Sequence, residues 1–128
     1  MSTRAVVNFY NDYNTKPRLV AKVYRHSDGY PDGLGEDLKK FLKDVGKLSD
    51  TRFGDASYLA AKWVVWDAEQ HAVLYNLDMT KTPKANRLDF LGVGICMTDP
   101  GDIEYSYDVV CDSSFGKESV PKITHKKV

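Results

Sequence analysis

Between Ala56 and Trp66 only Ser57 and Lys62 are polar. A helix that is apolar nearly all round must be buried on more than one side. This segment therefore demands other elements packed around it, and it sets the centre of the core. The helix is expected from Ala56 to about Glu69, with Asp55 as its N-cap. Trp63 and Trp66, three residues apart, share a face. A second helix precedes it. Leu34, Leu38, Phe41, Leu42 and Val45 recur at spacings of three and four, which makes one apolar stripe. Asp32 is placed to cap this helix. Glu36 and Asp37 suit its positive end, Lys40 and Lys43 its negative end, and Gly46 ends it.

The remaining apolar segments read as strands. Ala5 to Tyr10 and Arg18 to Tyr24 flank the polar turn Asn11–Pro17 and make a hairpin. His71 to Leu77 reads as a short strand and Asp78 to Asn86 as a polar loop. Leu88 to Met97 and Ile103 to Cys111 flank Thr98-Asp99-Pro100-Gly101, a turn signal, and are expected to pair with each other. With Met97 opposite Asp102, Gly94 faces Tyr105 and Gly92 faces Tyr107, aromatics lying over strand glycines. That register puts Cys96 and Cys111 about 26 Å apart, too far for a disulfide. Both are expected reduced and buried. Pro121 to Val128 reads as an edge strand or a loose basic tail covering about residues 117–128. Tight turns between consecutive strands, with the helices inserted as one block, predict a two-layer α+β domain spanning 1–128. An antiparallel sheet of about five strands would pack against two helices.

Charge and cysteine usage exclude several classes. Eighteen basic residues balance eighteen acidic ones. General nucleic-acid binding needs a basic excess and is not expected. No apolar run is long enough to cross a membrane as a helix, and the N-terminus lacks a signal-type apolar core, so a cytoplasmic location is expected. Two cysteines fit no zinc spacing, and no metal or cofactor is expected. The three histidines lie in unrelated segments, and there is no Gly-x-Ser-x-Gly.

The densest set of functional side chains is the loop Val23-Tyr24-Arg25-His26-Ser27-Asp28-Gly29-Tyr30-Pro31-Asp32-Gly33. Loops held on a rigid scaffold concentrate binding and chemistry. Tyr24 and Tyr30 can stack on a ring, and Arg25 and His26 can meet an anion at the following helix N-terminus. His26 can act as a general base oriented by Asp28. Against this stands plain turn chemistry: Asp28-Gly29 and Asp32-Gly33 are ordinary turn pairs, and Tyr30 fills a core gap. Arg52 and Ser57 lead into the second helix and complete an anion cradle with Arg25 if both helix starts lie at one end. Asp99, Asp102, Glu104, Asp108 and Asp112 form an acidic stretch without Lys or Arg. That stretch suits a basic protein surface or a divalent cation, or serves as a solvated sheet face.

Tyr24-Arg25-His26-Ser27-Asp28-Gly29-Tyr30-Pro31, Asp55-Ala56-Ser57-Tyr58-Leu59-Ala60-Ala61-Lys62 and Asp99-Pro100-Gly101-Asp102-Ile103-Glu104-Tyr105 carry a resemblance. They look similar to a group of small bacterial and phage-encoded proteins of unassigned function, over roughly Val20 to Cys111. The resemblance implies an accessory factor encoded by a virus or mobile element, and it transfers no catalytic residue. Three readings follow. The first is a small binding protein holding an anionic, nucleotide-like ligand or a host protein through Tyr24, Arg25, His26, Asp28, Tyr30 and Arg52. The second is a phosphodiester or nucleotide hydrolase using His26 with Asp28. The third is a protein-interaction module using the acidic hairpin 98–112 through Asp99, Asp102, Glu104 and Asp108. Exposed sheet edges are also compatible with a homodimer.

Overall fold

The computed structural model of the chain describes residues 2–74, 91–114 and 119–128. Ala5–Tyr13 (β1) and Lys16–Arg25 (β2) form the first hairpin. Its turn is tighter than the expected polar stretch. Only Asn14 and Thr15 lie outside the strands, both at positive φ (53° and 67°). Paired left-handed residues match the right-handed twist of a hairpin. Pro17 fits within β2 because, among the described residues, that half of β2 has no second neighbour. A register shift between Phe9 and Tyr10 marks a bulge at Val20 of β2, which has no partner in β1.

A single π-helical turn, Pro31–Gly35, leads directly into Glu36–Val45 (α1). The expected stripe is buried: Leu34, Leu38, Phe41, Leu42 and Val45. Asp32 is not its cap, because neither turn nor helix has a side-chain cap there. Pro31 at the first position and the turn's own carbonyls supply the start instead. Ala56–Leu74 (α2) starts at Asp55 as expected. Asp55 Oδ1 accepts from the Ser57 N–H at 3.2 Å, and Asn11 Oδ1 accepts from the Ala56 N–H at 2.8 Å. Together they satisfy two of the orphan donors of a helix start. The helix continues through His71 to Leu74, so these residues are not the start of the strand expected over His71 to Leu77, whose remaining residues lie outside the described ones. The loop expected at 78–86 and the first residues of the strand expected from Leu88 lie outside the described residues.

Val93–Cys96 (β3), Tyr105–Asp112 (β4) and Lys122–Lys127 (β5) complete a five-stranded sheet in the order β3-β2-β1-β4-β5. The sheet is mixed, because β4 pairs with β1 in parallel. β3 and β4 therefore do not form the expected hairpin. They lie on opposite sides of the β1–β2 pair, and Gly94 stands opposite Tyr24. The reason is visible in β1, where Ala5 to Phe9 are all buried. A strand buried on both faces belongs in the centre and needs a neighbour on each edge. β2 supplies one and β4 the other. Cys96 and Cys111 sit on strands three steps apart, about 14 Å across the ladder, and both are free. Cys111 is fully buried, Cys96 only half so.

Both helices cover the face that carries Ala5, Val7, Phe9, Val23, Tyr107 and Val109. Phe41 meets Trp63 edge-on at 5.3 Å, and Trp63 and Trp66 stack at 5.5 Å. The connection 97–104 passes over the other face. Asp99 pairs there with Lys22 at 2.7 Å, and Asp102 pairs with Arg4. The architecture is thus a two-layer α+β sheet-and-helix fold, with β5 as an ordered edge strand in place of a loose tail.

Candidate functional site

The 26–33 loop is held from beneath. Gly29 N–H donates to the Thr3 carbonyl at 2.9 Å, and the buried Tyr107 hydroxyl donates to the Gly29 carbonyl at 2.7 Å. A Cβ on Gly29 would lie 2.7 Å from Ala5 Cβ, so only glycine fits this close approach. The Asp28 carbonyl accepts from the Leu34 N–H at 2.8 Å, with Asp28 itself in the left-handed region at φ 56°. A Cβ on Gly33 would meet that carbonyl at 2.4 Å. Burial pushes the Tyr107 phenol up to about 12, so it stays a neutral donor.

Above this floor the loop shows an ordered polar surface. The Tyr24 hydroxyl lies 2.9 Å from His26 Nδ1, and the rings meet edge-on. The Tyr30 hydroxyl donates to Asp28 Oδ1 at 3.2 Å, and the Asp28 charge raises the Tyr30 pKa. Tyr30 does not fill a core gap; it is 40% exposed. His26 and Asp28 are each engaged by a tyrosine.

Arg25 points the other way, into the layer beneath the helices, and is buried. Its Nη2 pairs with Asp37 Oδ2 of α1 at 2.8 Å, and Nη1 lies 3.7 Å from Asp67 Oδ1 of α2. Its Nε donates to the Ser27 carbonyl, and its guanidinium sits 6.0 Å from the Trp63 ring centre. His71, one turn beyond Asp67, brings Nδ1 within 3.3 Å of Asp67 Oδ2. Burial raises the Asp67 pKa, Arg25 and His71 oppose that rise, and Asp37 adds to it. Arg25 thus ties the end of β2 to both helices. Asp37, Asp67 and His71 were not singled out from sequence, although a signal existed. Leu59, Trp63 and Asp67 fall at spacings of four on the buried stripe of α2. An aspartate on such a stripe requires a buried cation.

A scan with family models finds no match to this chain, and comparisons with known proteins and with solved structures find none either.

The other expected site residues lie apart from the loop. α2 begins beside Asn11, whereas Arg25 pairs with Ala5. Six residues of strand, about 20 Å, separate them. Arg52 is therefore at the far end of the sheet from Arg25, and the two do not form one cradle. Arg52 instead stacks 4.2 Å over the Tyr58 ring and pairs with Asp50. Of the acidic residues, Asp99 and Asp102 are held by Lys22 and Arg4. Asp108 accepts from Asn8 Nδ2 at 3.0 Å, and Asn8 Oδ1 accepts from Lys22. Glu104 is exposed at the start of β4, where its backbone bonds Arg4 and Val128. Among the described residues no group of acidic, His or Cys side chains converges in a metal-binding arrangement.

Among the described residues, two surface grooves flank α1, and no local sequence signal marks either. One, of 450 Å³, runs between α1 and α2 and is lined by Phe41, Val45, Leu48, Tyr58, Val65 and Trp66. The other, of 560 Å³, lies between α1 and β5.

Proposed function

We propose that this chain is a non-catalytic binding protein that holds a partner protein through the exposed surface of the 24–32 loop. The observation that carries this is the division of labour within the loop. Its backbone and Arg25 are locked into the scaffold, while Tyr24, His26, Asp28 and Tyr30 are displayed in fixed pairs. Tyrosines held this way supply broad amphipathic contact area at low entropic cost. The charge on this surface favours a protein over an anionic small molecule. Asp28, Asp32 and Glu36 are exposed here, and the guanidinium expected to meet a phosphate is already paired inside. A partner surface with basic or hydrogen-bond-donating groups complements it. The hydrolase reading loses support for a related reason: Asp28 is engaged by Tyr30 and His26 by Tyr24.

The experiment compares wild-type chain with Tyr30→Ala and Tyr24→Phe as baits in extract of the native cells. Native mass spectrometry is run on the chain purified from the same cells. The reading requires one protein that is captured by wild type and lost with Tyr30→Ala at unchanged melting temperature. A small molecule carried by the native protein and released on denaturation would replace this reading with the nucleotide-like one.

A further inference from the structure

We infer that the outer edge of β5, together with the groove between β5 and α1, binds an extended peptide rich in acidic side chains, which adds as a sixth strand. This goes beyond the loop reading and uses a different surface. Three observations meet here. First, β5 ends the sheet, and among the described residues it pairs only with β4. The Val128 N–H donates inward to the Glu104 carbonyl. By strand alternation the backbone groups of Ile123, His125 and Lys127 face outward, where a strand can pair with them. Second, Lys39 and Lys43 on α1 and Lys47 just past its end rim the neighbouring groove. Its floor is apolar: Leu42, Val120, Pro121 and Ile123. Third, β5 is basic on both faces. His125 and Lys127 share the face of Ile123, and Lys122 and Lys126 lie on the other.

Lysines on an edge strand ordinarily discourage pairing with neutral or basic strands. A second row of lysines on a helix, aligned with that edge across an apolar floor, is not needed for that purpose. Both rows repel a basic strand and attract an acidic one. Lys39 and Lys47 have partners in Glu36 and Asp44, but those pairs are exposed and weak. A bound strand alternates its side chains, one set over the α1 groove and the other over the opposite face. Acidic residues then meet lysine on both sides, while backbone hydrogen bonds supply affinity, as in other strand additions. A nucleic acid would use the lysines and leave the outward N–H groups of β5 unused.

The test is fluorescence anisotropy on the full chain with a labelled peptide repeating Glu-Glu-Val-Val, which puts Glu on both faces of a strand, and a control repeating Lys-Lys-Val-Val. The Glu peptide should bind, the Lys peptide should not, and added salt should weaken binding. His125→Pro removes an outward N–H and no bond to β4, so it should abolish binding. Lys43→Glu with Lys47→Glu should weaken it at least about tenfold. Should the proline variant lose its fold, the Lys43 and Lys47 reversals decide alone. Equal binding of the two peptides, or no effect of the lysine reversals, overturns the proposal. Binding of single-stranded oligothymidine that resists His125→Pro does so as well, in favour of a nucleic acid.

Discussion

Arg25 and Asp67 show how one buried ion pair sets a pH response. Burial raises the Asp67 pKa despite Arg25 and His71. The folded chain therefore holds this proton more tightly than the unfolded chain does. The stabilisation from that proton is full below the ordinary carboxylate range and is lost as pH rises through the folded value. Wherever Asp67 ionises in the folded chain its charge is a net cost, so Asp67→Asn should match or exceed wild type in urea unfolding at pH 7. That advantage should vanish in acid; a large loss at pH 7 would show that the charge itself stabilises. Arg25→Met removes the cation from two carboxylates and should cost about 3–5 kcal/mol. Thr15 illustrates local strain. A β-branched residue at φ 67° is unfavourable, and glycine is free there. Thr15→Gly should stabilise by about 0.5–1 kcal/mol in thermal unfolding, and a loss would mean that the side chain contributes more than its backbone strain costs.

At the scale of elements, the start of α2 depends on a residue from another strand. Asn11 Oδ1 accepts from the Ala56 N–H and lies 3.0 Å from Ser113 Oγ. Asn11→Ala should therefore cost about 1 kcal/mol or more, as removal of a cap does, although Asn11 lies outside the helix. Equal stability of the variant, measured by denaturant midpoint, would assign the start to Asp55 alone. The same contact explains what was legible in the sequence. Periodicity located α1 and α2 because each carries its own stripe, and Asp55 was readable because its bond to Ser57 is local. Asn11 reads as a turn residue, since its partners are 45 and 102 residues away. The β3–β4 hairpin was expected from a strong turn signal, Asp99-Pro100-Gly101. What overrode it was the two-faced burial of β1, a demand that local turn chemistry does not register. The candidate loop was legible as a dense segment. The inward turn of Arg25 was not, because Asp37 and Asp67 reach it only through packing.

For the whole molecule, topology orders stability from the centre outward. β1 is bonded on both edges, to β2 within a hairpin and to β4 about a hundred residues later. Its first five residues are buried, whereas most of β5 is exposed and bonded on one edge only. Local opening costs least where few apolar contacts and ladder bonds are broken. β1 amides should then exchange with solvent only through global unfolding, and β5 amides should exchange faster through opening of the edge. Hydrogen exchange read by mass spectrometry resolves the two. Equal protection of β5 and β1 would mean that the outer strand is part of the cooperative core. The ordering also bears on the edge site. A strand that opens independently leaves its outward backbone groups available, and a sixth strand would close them. Saturating Glu–Val peptide should then slow exchange in β5 by closing the edge, and slow β1 as well, because global unfolding releases the peptide and binding stabilises the folded chain; unchanged β5 exchange would mean that the peptide does not add at this edge.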